Sequence, residues 1–103
     1  MKELNNFQEQ VMDAKGYILL DFFAEWCGPC KQMTPNLEAL SAEMHEVTIY
    51  KVNIDDNHEV ATKHTIRSVP TLIFLKDGKI LDRKVGYMDK NSIEEWLKDQ
   101  MLE

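Results

Sequence analysis

Cysteine occurs twice in the chain, at Cys27 and Cys30 within Trp26-Cys27-Gly28-Pro29-Cys30. Two thiols at this spacing at the start of a helix can close a small disulfide. The segment follows a continuous apolar run, Tyr17–Phe23. It precedes a helical pattern in which Cys30, Met33, Leu37, Leu40 and Met44 step by three and four residues along one face. Cys27 is therefore expected at or just before a first helical turn. There the free backbone N–H groups and the positive end of the helix dipole favour an anion. A thiolate is stabilised, the thiol pKa falls, and a nucleophile becomes available near neutral pH. Cys30 lies one turn further, on the apolar stripe, so it is expected to be less exposed and to act second. Gly28 has no side chain to obstruct Cys27. Pro29 suits a first turn, where its absent N–H is not missed.

Three plainer readings of the pair stay open on this evidence. A purely structural disulfide closes a four-residue loop and stabilises by only ~2 kcal/mol on chain-entropy grounds. A structural zinc site normally takes four ligands, and no second CxxC or CxxH accompanies the pair. His45, His58 and His64 do not cluster with it in sequence. Two idle core thiols would match the burial habit of cysteine, but leave a Gly-Pro insert at a strand-to-helix junction without purpose. A redox CxxC in a βαβ setting accounts for all of these features.

Asp21 is the one charge in YILLDFF. A carboxylate is costly to bury in an apolar strand, and desolvation raises its pKa. It lies in the strand that delivers the cysteines, so it could take the proton of Cys30 when that thiol must attack. The alternative is an Asp at a strand edge with access to water.

The elements that must position these groups are short and alternate. Asn5 or Asn6 can cap a helix through Ala14, with Phe7, Val11 and Ala14 on one face, Asn6 and Glu9 at capping spacing, and Gly16 as the stop. Tyr17–Phe23 reads as a strand buried on both faces, as parallel α/β sheets require. The helix after the cysteines contains Pro35, which predicts a kink. Val47–Ile54 reads as a second strand. Asp55, Asp56 and Asn57 then lead into a short helix over roughly 59–64, with His58 and His64 expected on a solvated face. Thr71–Leu75 and Ile80–Val85 are strands joined by Asp77-Gly78, a strong hairpin signal. Pro70 stands at the front of the first, where a missing N–H does least harm. Asn91 and Glu94 suggest a capping pair for a last helix with an apolar stripe of Ile93, Trp96, Leu97 and Met101; Trp96 is expected in the core. Helices between strands imply right-handed parallel crossovers. The hairpin adds an antiparallel part, so an α/β fold with a mixed central sheet between helices is expected.

Length and charge exclude several classes. At 103 residues the chain is expected to be one domain, 1–103. Its 44% hydrophobic and 29% charged residues are too apolar for disorder and too polar for a membrane protein. No window approaches the ~20 apolar residues of a bilayer span. The start, MKELNNFQEQ, has no apolar core of a secretory signal, so no export and no membrane anchor are expected. A net charge of −6 repels phosphate backbones, so no nucleic-acid partner is expected. No large exposed apolar stripe is evident, so a monomer is expected.

Asp21-Phe22-Phe23-Ala24-Glu25-Trp26-Cys27-Gly28-Pro29-Cys30-Lys31 closely resembles the active-site segment of the thioredoxin family. The resemblance covers nearly the whole chain. Lys51-Val52-Asn53-Ile54-Asp55 is similar to a family strand signature, and Ile66-Arg67-Ser68-Val69-Pro70-Thr71 to the loop that carries its cis-proline. Asp77-Gly78 fits its hairpin turn, Val85-Gly86 its strand end, and Pro35 the kink in its active-site helix. Three departures stand out. Phe23 and Ser68 occupy positions where the family usually has Trp and often has Gly. Only Met1–Leu4 precede the first helix, so the N-terminal strand is expected to be short. The fold implied is the three-layer thioredoxin fold, a central mixed β-sheet flanked by helices.

By that resemblance Cys27 is the attacking nucleophile, Cys30 the resolving thiol and Lys51 the partner of Asp21. Trp26, Gly28 and Pro29 form the active-site loop. Trp26, Val69, cis Pro70 and Gly86 face the substrate. The implied activity is protein-disulfide reduction through a mixed disulfide, with no metal and no bound cofactor; electrons come from NADPH through a thioredoxin reductase in the cytoplasm. Ribonucleotide reductase, methionine sulfoxide reductase and peroxiredoxin are implied as targets. The alternatives are a donor dedicated to one enzyme, or a binding module whose thiols are incidental.

Overall fold

The computed structural model describes residues 1–102. Strands β1 (Lys2–Glu3), β2 (Tyr17–Phe23), β3 (Val47–Asn53), β4 (Thr71–Lys76) and β5 (Lys79–Val85) form one sheet in the order β1-β3-β2-β4-β5. β3 runs parallel to β1 and β2, whereas β4 is antiparallel to β2 and β5. The mixed sheet and the short first strand match the expectation.

Period-two alternation divides the core into two layers. Leu19, Ile49, Leu72 and Phe74 face helices α1 (Gly28–Glu43) and α3 (Lys90–Met101), packing on Met33, Leu37, Leu40, Ile93, Trp96 and Leu97. Leu20, Phe22, Tyr50, Val52 and Ile73 face the other way, toward Val11 and Val60. Val60 belongs to the short α2 (His58–Lys63). β2 lies in the middle and is buried along Ile18–Phe22, as its continuous apolarity required.

Several boundaries differ from the sequence pattern. The first helix contracts to one π-type turn, Gln8–Met12. Asn6 Oδ1 does accept from the Glu9 N–H at 3.0 Å, but Gln10 Oε1 takes the Asn5 and Asn6 N–H groups and holds the entry as a loop. α1 includes Pro35 within its span, as the sequence placed it, and Thr34 Oγ1 donates to the Cys30 carbonyl at 3.1 Å. α3 is capped by Asp89, whose carboxylate accepts from the Ser92 N–H at 2.8 Å, and not by Asn91. A carboxylate there also complements the helix dipole. His64 is buried, because the end of α2 turns its ring onto Phe7 and Phe22; its Nδ1 lies 2.8 Å from the Val60 carbonyl. His58 is exposed.

The hairpin turn is the two-residue type its sequence predicts. Asp77 and Gly78 both have positive φ, at 51° and 80°, and Lys76 pairs with Lys79 across it.

Candidate functional site

β2 ends at Phe23, and Ala24–Trp26 carries the chain from the C-terminal end of this central strand into α1. Cys27 is the N-cap of α1. Its backbone is extended (φ −94°, ψ 110°), and its Sγ accepts from the Cys30 N–H at 3.2 Å. A sulfur thus takes the place that a Ser or Asp oxygen usually fills at a helix start. Pro29 lies in the first turn. The two cysteines are joined as a disulfide, with Cα atoms 5.3 Å apart. They are almost equally hidden, at 5% and 4% exposure, so the expected difference in exposure is absent. Position separates them instead. Cys27 holds the cap, whereas Cys30 lies within α1.

A second loop closes over Cys27. The Val69–Pro70 peptide is cis, and the Val69 carbonyl oxygen lies 3.7 Å from Cys27 Sγ. Thr71 Oγ1 donates to the Ser68 carbonyl at 2.8 Å, and the Gly86 N–H to the Pro70 carbonyl at 2.9 Å. Gly86 has φ +98°, while a Cβ there would meet nothing within 4 Å. It serves the backbone conformation, not a close approach. Gly28 likewise has open space above it.

Trp26 is 70% exposed. Its Nε1–H donates to Asp55 Oδ2 at 3.1 Å, and Asn53 Oδ1 accepts from the Asp55 N–H at 2.9 Å. Sequence reasoning placed Asp55 in the lead into the short helix and in the family strand signature, with no side-chain partner. Its indole partner stands 29 positions earlier, and no local pattern joins them. Beside Trp26 a groove of about 290 Å³ runs along Ile66, Arg67 and Val69.

Asp21 is 2% exposed, and its Oδ1 has no hydrogen-bond partner. β2 is flanked on both sides, so the strand-edge alternative is removed. Burial pushes the carboxyl up to about 7, against a smaller opposing effect of the Lys51 charge. Lys51 is the register partner of Asp21 on β3. Its ammonium lies 4.7 Å from the centre of the Phe23 ring. Lys51, Phe23 and Cys30 together line a cleft of about 870 Å³. Lys51, Phe23 and Cys30 thus share one cleft, Asp21 lies opposite Lys51 in the ladder, and of the second loop it is the Val69 carbonyl that lies at the Cys27 sulfur.

A buried carboxyl in the strand that leads to a helix-capping cysteine and its disulfide partner is suited to thiol–disulfide exchange. Among the described residues no three metal-ligating side chains converge, and no helix is long and apolar enough to cross a membrane.

Comparison with known proteins agrees with this geometry. The family model described as Thioredoxin matches residues 1–99. The chain is 53% identical over 88 residues to a thioredoxin of Chlamydia trachomatis serovar D, covering 85% of this chain and 84% of that one. It is 58% identical over 80 residues to a thioredoxin of Chlamydia caviae, covering 78% of each. A Rickettsia bellii thioredoxin is 41% identical over 97 residues, covering 93% of this chain and 92% of its own.

Proposed function

The chain belongs to the thioredoxin family and is a thiol–disulfide reductase, and from that premise we propose how its residues divide the reaction. Cys27, as thiolate, attacks one sulfur of a target disulfide. The target S–S bond breaks, one target sulfur leaves as a thiolate, and a mixed disulfide forms. Cys30 then loses its proton to Asp21 and attacks Cys27 Sγ. The second target sulfur leaves, and the Cys27–Cys30 disulfide forms. Two electrons pass to the target, which takes up two protons as its thiols form.

The observation that carries this division is the cap geometry: the Cys27 sulfur already accepts a backbone N–H at the helix start. That donor, with the helix dipole, favours the Cys27 thiolate. Asp21, held near pH 7 by burial, can accept and return a proton under working conditions. Trp26 and the Val69–Pro70 loop bound the space around the sulfur. An extended target segment can pair with the Val69 backbone, with Gly86 at the rim.

The domain, 1–103, works as a general reductant of protein disulfides in the cytoplasm. NADPH electrons reach it through a thioredoxin reductase, and ribonucleotide reductase, methionine sulfoxide reductase and peroxiredoxin are the target types the family suggests. The test is the reduction potential of the pair in dithiothreitol and glutathione buffers, read by alkylation of free thiols. The expected value is near the roughly −270 mV that represents thioredoxins generally. A potential ~100 mV or more higher would make the protein an oxidant or isomerase and overturn the proposal.

A further inference from the structure

Lys51 acts on Asp21 only while its flexible four-carbon stem keeps the ammonium near the carboxyl. The cleft it lines is open and carries other charges: Glu3 on β1, Glu25 and Lys31 around the cysteines, and Asp56 after β3. Glu3, Glu25 and Asp56 are exposed acids that could draw the ammonium outward. From β4, Asp21 faces only the apolar Leu72. The ammonium rests on the Phe23 ring and not on these acids. Asp21 and Phe23 lie two residues apart on the same face of β2, and Lys51 lies opposite Asp21. The ring face therefore receives Lys51 Nζ at 4.7 Å, well inside the ~6 Å reach of a cation–π contact.

We propose that Phe23 is a positioning residue for the reaction: its ring holds the Lys51 ammonium beside Asp21 and keeps it from the acids of the cleft. The proposal rests on the reading of Asp21 as the proton acceptor for Cys30, and adds the residue that tunes it. Phe23 packs against the cluster of Ala24, Cys27 and Cys30, but in this role it transfers nothing. It acts through Lys51, whose charge favours the ionised carboxylate.

The experiment is the pH titration of the Asp21 carboxyl carbon by NMR in the full chain, for Phe23→Leu, Phe23→Trp and Lys51→Met. Phe23→Leu should raise the midpoint by on the order of half a pH unit or more, and Lys51→Met should raise it at least as far. Phe23→Trp, which offers a better ring face, should leave it unchanged or lower. A merely structural Phe23 would change unfolding without moving this midpoint. If Phe23→Leu does not fold, Phe23→Met removes the ring with an unbranched side chain and is read in the same way. An unmoved midpoint in the ring-deleted variant overturns the proposal, whatever Lys51→Met does. The pH profile of mixed-disulfide resolution separates the underlying reading. If the carboxyl midpoint moves and the resolution profile does not, Phe23 still positions Lys51, but Asp21 is not the acceptor for Cys30.

Discussion

Lys51 stands directly opposite Asp21 in the parallel β2–β3 ladder, yet its ammonium rests over the Phe23 ring and forms no ion pair with the carboxylate. Asp21 is left with an oxygen that has no hydrogen-bond partner. A fully paired carboxylate would stay ionised and make a poor proton acceptor. A wholly isolated one would hold its proton too firmly. Burial outweighs the charge of nearby Lys51 and leaves Asp21 between these limits, at about 7.

Asp21→Asn should stabilise the protein at neutral pH. The folded carboxyl titrates at about 7, against ~3.9 in the unfolded chain. The stability this group contributes is complete below the unfolded value and is lost as pH rises from there through the folded value. Asn escapes that loss, so the variant should gain on the order of 2–4 kcal/mol at pH 8 and nearly nothing at pH 4. Urea unfolding at the two pH values reads this. Equal stability at pH 8 would contradict a buried carboxylate. The same variant should resolve mixed disulfides more slowly.

Reduction should reveal an asymmetry that burial does not. Both cysteines are nearly hidden, but only Cys27 caps the helix. Alkylation of the reduced protein at pH 7, with the sites separated by peptide mass spectrometry, should modify Cys27 at least about tenfold faster, since only the thiolate reacts. Cys30→Ser should accumulate a mixed disulfide through Cys27, and Cys27→Ser should form none.

Trp26 is anchored to Asp55 while most of its surface faces solvent. Trp26→Ala should change stability by less than about 1 kcal/mol. It should lower kcat/KM for a protein disulfide several-fold through KM, with a smaller effect on a small-molecule disulfide. An equal loss on both substrates would remove Trp26 from target binding.

Two glycines should differ although both have positive φ. Gly86→Ala meets no neighbour and should cost about 1–2 kcal/mol for the left-handed backbone alone. Gly78→Ala places a Cβ 2.7 Å from the Met12 carbonyl oxygen, which is backbone and cannot swing aside. Thermal unfolding should show a clearly larger loss for Gly78→Ala. Equal midpoints would mean that the Gly78–Met12 contact is easily relaxed.

The features legible in the sequence are those set by near neighbours along the chain. The continuous apolar run Tyr17–Phe23 reads as a strand covered on both faces. Asp77-Gly78 specifies its turn through local φ preferences. The spacing of Cys27, Pro29 and Cys30 places a sulfur at a helix start. These choices are made within a few residues, where propensity and periodicity act. What the tertiary structure alone decided lies between distant segments. Pairing of β2 with β3 brought Lys51 within reach of Phe23, and the β3–α2 turn brought Asp55 to the indole of Trp26. Packing of α2 on the sheet buried His64, which its own helix pattern had assigned to solvent. The Val69 loop came to rest 3.7 Å from Cys27. Side-chain direction at such contacts follows from how layers stack and which strands are neighbours, and no local period carries that information. The type of chemistry was therefore written at Cys27 and Cys30, while the environment that sets the proton affinity of Asp21 exists only once β2 lies between β3 and β4.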